Sequence, residues 1–173
     1  VEAFTVGIGY IVMPYNLTLN DETFAEMASM YGYSSASEMK ANFTAAYALD
    51  YVLQTNNLTM DYQGDLYAGG SFYMSSITGV DTSNVYVQPE LYEKLEENGF
   101  YVEEYVYDEG TLCEFDITYG SGWMYMINGV LPNVGFCDYI PQDGDVMRIQ
   151  FTLAYGNDIG EEGAIKIFKE NLK

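Results

Sequence analysis

The hydrophobic periodicity of the chain changes near residue 57, and this change constrains the fold most. From Asn20 to Leu53 the apolar residues recur every three or four positions, as they do on one face of a helix. From Leu58 onward, short apolar runs alternate with Gly, Asn and Asp turns, which is typical of strands. With 173 residues, of which 49% are hydrophobic, the chain can form a cored domain. The pattern predicts an α+β fold, with one or two helices packed on a largely antiparallel, β-grasp-like sheet.

Two helices are predicted in the first third of the chain. The first follows Asn20 and ends at Gly32, which are good capping residues. Ser35 and Glu38 have the spacing of a capping box, so a longer helix is predicted from there to Asn56. Shorter helices are predicted over 90–98 and 165–172.

Strands and turns are predicted in the rest of the chain. Asn128-Gly129 is a strong signal for a tight hairpin turn, and Asp143-Gly144 is a second one. The predicted strands are 4–12, 16–19, 58–62, 72–77, 100–107, 112–119 and 146–155.

Composition excludes several classes of function. The chain has 26 acidic and 6 basic residues, a net charge of −20, which makes nucleic acid and anionic membranes poor partners. Without a long apolar run, no membrane insertion is expected. Without histidine, the commonest general base and the usual zinc ligand are missing. We therefore expect no enzyme, no catalytic residues and no cofactor or metal requirement.

The cysteines and the acidic clusters each allow two interpretations. Cys113 and Cys137 could form a disulfide, or they could be two small buried thiols. A calcium ion could be held by Asp143, Asp145, Asn157, Asp158 and Glu161, but their spacing matches no EF-hand loop, which favours turn and capping roles.

The stretch from Gly120 to Phe151 holds the only tryptophan, Trp123. In a strand, Trp123, Tyr125 and Ile127 share one face, since successive side chains point to opposite sides. One interpretation is that the tryptophan fills the core. The other is that aromatic and methionine side chains surround a shallow apolar pocket with a few polar groups.

This stretch and the residues just after it contain several short motifs, at 121–125, 128–129, 132–135, 138–139, 143–146 and 157–160. Together these motifs resemble the DUF4430 family, the transcobalamin C-terminal-like domains. A looser resemblance covers 9–14, 48–53 and 72–77, so that the whole chain is interpreted as a single domain. The segments near 32–40 and 81–107 are then interpreted as insertions.

The resemblance implies a β-grasp-like domain that binds a soluble ligand, with a corrinoid such as cobalamin as the leading candidate. It implies a secreted or surface-anchored protein of Gram-positive bacteria. It also implies that the ligand-side motif includes Trp123, Tyr125, Asn128, Gly129 and Tyr139.

The sequence therefore predicts an extracellular binding domain that catalyses no reaction. The ligand would stack on Trp123 and Tyr125 and form hydrogen bonds with Asn128 and with the backbone near Gly129 and Gly135. Two alternatives stay open. One is an adhesive or structural module of a surface protein that binds protein or glycan through tyrosine-rich strands, and the other is a hydrolase with buried carboxylates.

Overall fold

A computed structural model describes residues 2–6, 15–85, 87, 89–103 and 108–159. Within them the fold mixes helices and strands, so the predicted α+β class is confirmed. The helices are α1 (Asp21–Tyr31), α2 (Ala36–Asn42), α3 (Ala45–Thr55) and α4 (Pro89–Glu97). The strands are β1 (Glu2–Val6), β2 (Thr59–Gly64), β3 (Phe72–Thr78), β4 (Thr111–Cys113), β5 (Gly122–Ile127) and β6 (Met147–Thr152).

The strands form two three-stranded sheets. One has the order β1-β6-β5, in which β1 is parallel to β6 and β5 is antiparallel to β6. The other has the order β2-β3-β4 and is antiparallel throughout. The prediction of a largely antiparallel arrangement is therefore confirmed.

The longer helix predicted after Ser35 is in fact two helices. Ser35 does cap α2, accepting a hydrogen bond from the Glu38 backbone N–H. The chain then leaves the helix at Phe43, and Thr44 caps α3 by accepting a hydrogen bond from the Tyr47 N–H. The Thr44 hydroxyl also donates to the Leu66 carbonyl at 2.5 Å, so the break is stabilised by a partner that helical periodicity does not reveal.

Some predicted strands are shorter or absent. The predicted strand 16–19 is irregular, and residues 100–103 of the predicted strand 100–107 are not in a strand. The predicted strand 112–119 ends at Cys113, because Phe115 and Ile117 adopt positive φ angles of 66° and 74°. Residues 7–12 and 104–107, and the tail helix predicted over 165–172, lie outside the described residues.

The core lies between the helices and the inward faces of both sheets. On β6 the predicted face is confirmed, since Met147, Ile149 and Phe151 are all buried, as is Leu153 just beyond the strand. From α3 nearly every side chain is buried, which explains why its sequence is almost continuously apolar. Among the described helices, none is long and apolar enough to cross a membrane.

Candidate functional site

The β5–β6 pair is the frame of the predicted site. The strands pair from Gly122 opposite Thr152 to Ile127 opposite Met147. The predicted Asn128-Gly129 turn is present, with φ angles of 53° and 80° that suit a tight turn with both central residues left-handed. It does not lead directly into the partner strand, because the chain continues through a long irregular segment before β6 begins.

At the turn end of β5, two of the predicted site residues and one further backbone group donate hydrogen bonds to the side chain of Asp145. Its carboxylate accepts hydrogen bonds from Asn128 Nδ2 at 2.9 Å, the Tyr139 hydroxyl at 2.7 Å and the Gln142 N–H at 2.8 Å. The backbone hydrogen bond from Gln142, followed by those from Tyr139 and Asn128, lowers the pKa of Asp145. We name Asp145, Asn128, Tyr139 and Gln142 the Asp145 cluster.

The segment between β5 and β6 is fastened to helix α3. The first backbone N–H groups of that helix, from Ala45 and Ala46, donate to the carbonyls of Tyr139 and Phe136 at 2.8 and 3.2 Å. Helix N-termini leave such donors without partners inside the helix. Tyr139 therefore links the Asp145 cluster to α3, because its hydroxyl donates to Asp145 and its carbonyl accepts from the helix.

Tyr125 lies in the core rather than on a ligand surface. It is buried, its ring stacks on Phe136 with centroids 4.0 Å apart, and its hydroxyl donates to the Val134 carbonyl at 2.5 Å. Burial raises the pKa of Tyr125 to about 12, so the hydroxyl stays protonated.

Trp123, at the other end of β5, is half-buried. Its ring packs edge-on against Phe151 with centroids 5.1 Å apart, and its Nε1 donates to the Leu112 carbonyl at 2.9 Å. These contacts fix the indole in one orientation. The two sequence interpretations of Trp123 are thus both partly met: one side packs on the core, and the side chain also lines a cavity.

That cavity, the Trp123 cavity, has a volume of ≈ 400 Å³. It opens between β3, the start of β5 and the end of β6, and its size is within the range of small-molecule sites. The described residues that line it are Tyr73, Met74, Glu114, Phe115, Gly120, Ser121, Gly122, Trp123, Met124, Thr152 and Tyr155.

The chain between Cys113 and Ser121 forms the lip of this cavity and has a strained backbone. Phe115 has a positive φ and a side chain that is 62% exposed, while Ile117 has a positive φ and is buried. The buried Asp116 carboxylate holds the turn by accepting a hydrogen bond from the Cys113 N–H at 2.8 Å. Positive φ disfavours a β-branched residue, and such strain persists only where the surroundings impose it.

Some polar groups that line the cavity have hydrogen-bond partners, and one has none among the described residues. The Tyr73 hydroxyl donates to Glu114, and this bond, with burial, raises the pKa of Tyr73 to about 12. The Ser121 side chain is 5% exposed, and its Oγ has no hydrogen-bond partner among the described residues. A buried hydroxyl without a partner is costly to the stability of the fold.

The predicted site residues are therefore not brought together. Trp123 belongs to one end of β5, whereas Asn128, Gly129 and Tyr139 belong to the other end, about 17 Å away along a strand. The Asp145 end borders only a small cavity of ≈ 40 Å³, with room for about three water molecules.

The sequence interpretation missed Tyr73, Phe115 and Ser121 as members of one site. The only signal for them was the Gly120-Ser121-Gly122 turn, which marks a place where the backbone can come close to other groups. At Gly120 a Cβ atom would lie 2.5 Å from the Phe100 ring, so glycine is required there.

Both cysteines are free thiols in this structure, and Cys137 is buried whereas Cys113 is half-buried. The Cys137 thiol donates to the Asp65 carbonyl at 2.9 Å, and burial raises its pKa to about 11. A thiol with so high a pKa is a poor nucleophile at neutral pH.

The turn and capping roles expected for the acidic residues are confirmed for Asp145 and Asp158. The Asp158 carboxylate accepts hydrogen bonds from the N–H groups of Leu153 and Ala154 at 2.8 and 3.2 Å. It also accepts one from the Thr152 hydroxyl. These bonds close the chain at the end of β6.

A larger hollow of ≈ 470 Å³ lies elsewhere on the molecule, beside Asp81 and Glu109. Its described lining contains no aromatic side chain, and none of the motifs of the sequence falls in it. Ligand sites combine apolar walls with a few polar groups, so we favour the Trp123 cavity despite its slightly smaller volume.

Comparison with known proteins adds one finding to this geometry. No curated protein and no solved structure matches the chain. Residues 87–153 match the model of DUF4430, which is described as a domain of unknown function. The match spans α4, β4, β5 and β6, and it includes Trp123, whereas the looser resemblance before residue 87 lies outside it. Over residues 87–153, the chain is therefore similar to the DUF4430 domain family.

Proposed function

We propose that this protein is a non-enzymatic binding domain that holds a small soluble ligand in the Trp123 cavity. The observation that carries the proposal is a cavity of ≈ 400 Å³ that is lined by aromatic and methionine side chains together with the Glu114 carboxylate. The exposed and strained Phe115 at the lip supports the same location.

The ligand suggested by the transcobalamin-like resemblance is a corrinoid. A cavity of ≈ 400 Å³ would hold one edge of such a macrocycle rather than enclose it. This mode of binding would leave most of the ligand exposed to solvent or to a second domain. In keeping with the same resemblance, we propose an extracellular, secreted or surface-anchored protein with a β-grasp-like fold, which the parallel pairing of β1 with β6 supports.

The first experiment is a titration with cobalamin and with cobinamide. Because Trp123 is the only tryptophan, all tryptophan emission comes from the edge of this cavity. We expect saturable quenching with a matching shift of corrinoid absorbance. The variant Phe115→Ala should weaken binding without a large loss of stability, since its side chain is mostly exposed. Absence of saturable quenching by either compound would reject the corrinoid.

A second function, adhesion to a protein or a glycan, is favoured by the aromatic surface around the cavity. Tyr73, Phe115 and Tyr119 are all exposed, and Tyr119 stacks on Phe100 beside Tyr155. Tyrosine offers a large face and a polar tip at low entropic cost. If no small molecule binds, retention of the chain on a glycan array, abolished by Phe115→Ala, would support adhesion.

A further inference from the structure

We propose that the Trp123 cavity selects an organic cation, that is, a ligand with an alkylated ammonium group beside apolar carbon. The inference rests on the proposed function, since it names the ligand class of the same cavity. It is argued from the charge of the lining, from its aromatic rings and from the state of its hydrogen-bond donors.

The charge of the cavity disfavours anions and favours cations. Among the described lining residues Glu114 is the only charged one, and no lysine or arginine is present. The whole chain carries a net charge of −20. An anion would lose its water without gaining a partner, whereas a cation would be attracted over a distance and would meet a carboxylate on arrival.

The walls suit a cation that carries methyl or methylene groups. Tyr73, Phe115, Trp123 and Tyr155 contribute aromatic rings, and two methionines contribute polarisable thioethers. Aromatic faces attract cations through the ring quadrupole, with tryptophan the strongest of the three types, and they recognise quaternary ammonium groups in particular.

The donors of the cavity argue against a neutral sugar or another polyhydroxyl ligand. The Tyr73 hydroxyl donates to Glu114, the Trp123 Nε1 donates to the Leu112 carbonyl, and the Thr152 hydroxyl donates to Asp158. The Tyr155 hydroxyl donates to the Tyr119 carbonyl at 3.2 Å. A sugar would receive few hydrogen bonds from these occupied donors, whereas a quaternary ammonium group needs none.

Three backbone N–H groups of the lip also already have acceptors within the protein. The N–H groups of Glu114, Phe115 and Ser121 donate to the carbonyls of Ser75, Ser121 and Thr118. The Ser121 hydroxyl has no partner among the described residues, but its oxygen has less than 1 Å² of accessible surface, so it offers the cavity no open hydrogen-bonding group. Choline presents a trimethylammonium group to aromatic rings and a carboxylate and needs few hydrogen-bond donors, and it is therefore the appropriate probe.

The test compares choline with its uncharged analogue, in which a carbon atom replaces the ammonium nitrogen. Trp123 fluorescence would be titrated with each compound on the intact chain. The two probes have nearly the same shape, so the comparison isolates the charge. We expect choline to bind at least about tenfold more tightly, as cation–π attraction in a desolvated site implies.

The variant Glu114→Gln should weaken choline binding by about tenfold, because it removes a charge–charge attraction, and leave the uncharged analogue unaffected. Its matched control is Glu96→Gln, which removes the same charge from an exposed position on α4, outside the cavity lining. Circular dichroism would establish that both variants are folded. An equal loss in the two variants would indicate general attraction by the acidic chain and would overturn the local site.

The remaining outcomes separate this inference from the proposed function. If choline fails to saturate the quenching, or the uncharged analogue binds equally well, the selection of a cation is wrong. The binding domain itself would still stand if a corrinoid or another neutral ligand quenches Trp123 in the wild type and not in Phe115→Ala. If no compound perturbs Trp123, both proposals fail.

Discussion

The two ends of strand β5 differ in how completely their polar groups are satisfied. At the turn end, Asp145 accepts three hydrogen bonds, and the adjoining segment is tied to helix α3. At the Trp123 end, a buried serine hydroxyl has no partner among the described residues, and an aromatic side chain is exposed on a strained backbone. The first arrangement stabilises the fold, and the second lies beside the cavity in which we propose that a ligand binds. Motif residues close in sequence thus serve different purposes.

The largest test of this contrast uses two tyrosines. Tyr125→Ala should lower the free energy of unfolding by about 3–5 kcal/mol, because it empties a buried site that is stacked on Phe136. The control Tyr101→Ala, at an exposed position, should change it by about 0.5 kcal/mol or less. Urea unfolding monitored by Trp123 fluorescence measures both. A mild effect of Tyr125→Ala would place this ring outside the core and restore it as a ligand contact.

The second test removes the centre of the turn end. Asp145→Ala should cost about 2 kcal/mol, since three donors lose a charged acceptor in a partly solvated place. The control is Asp143→Ala, two residues away and exposed, which should be nearly neutral. Ligand binding at the Trp123 cavity should be unchanged in the folded fraction. Equal stability of the two variants would show that the Asp145 cluster does not hold the turn.

The third test compares two hydroxyls near the cavity. Ser121→Ala should leave stability unchanged or raise it by about 1 kcal/mol, because it removes a buried group without a partner. Thr118→Val should lower stability by about 1–2 kcal/mol, because its hydroxyl donates to the Leu153 carbonyl at 2.5 Å. Thermal unfolding ranks the two variants. A loss in Ser121→Ala as large as that in Thr118→Val would mean that the serine hydroxyl is already satisfied.

The smallest expected effect concerns pH. The pKa of Asp145 is lowered in the folded protein, so its contribution is fully present above the unfolded pKa of about 3.9 and is lost as the pH falls through the folded value. The stability difference between wild type and Asp145→Asn should therefore shrink below pH about 4. Parallel urea curves from neutral to acidic pH would detect it. A difference independent of pH would mean that the ionised carboxylate is not what the donors recognise.

The sequence predicts the regular elements well where local chemistry decides them. Caps at Asn20 and Ser35, the stop at Gly32 and the turn at Asn128 are all present. It fails where a distant partner competes, as at Thr44, whose bond to Leu66 ends one helix and starts another. For the same reason, the sequence predicts Trp123 as a member of the candidate site but misses the residues that come from distant segments. Tyr73 and Phe115 come from separate segments of the chain. The positive φ at Phe115 could not be predicted, because it occurs at a residue other than glycine.

The attachment of the β5–β6 connection to helix α3 has a consequence for the order of folding. The donors Ala45 and Ala46 and the acceptors Phe136 and Tyr139 are far apart in the chain. Closing such a distance costs loop entropy before any contact repays it, so structures rich in distant contacts fold slowly. The N-terminus of α3 must also be formed, with Thr44 as its cap, before the N–H groups of its first turn can bind these carbonyls. We therefore expect α3 to form early and the β5–β6 connection to dock on it late. During synthesis, the first N–H groups of α3 would be hydrated until the last third of the chain has been made.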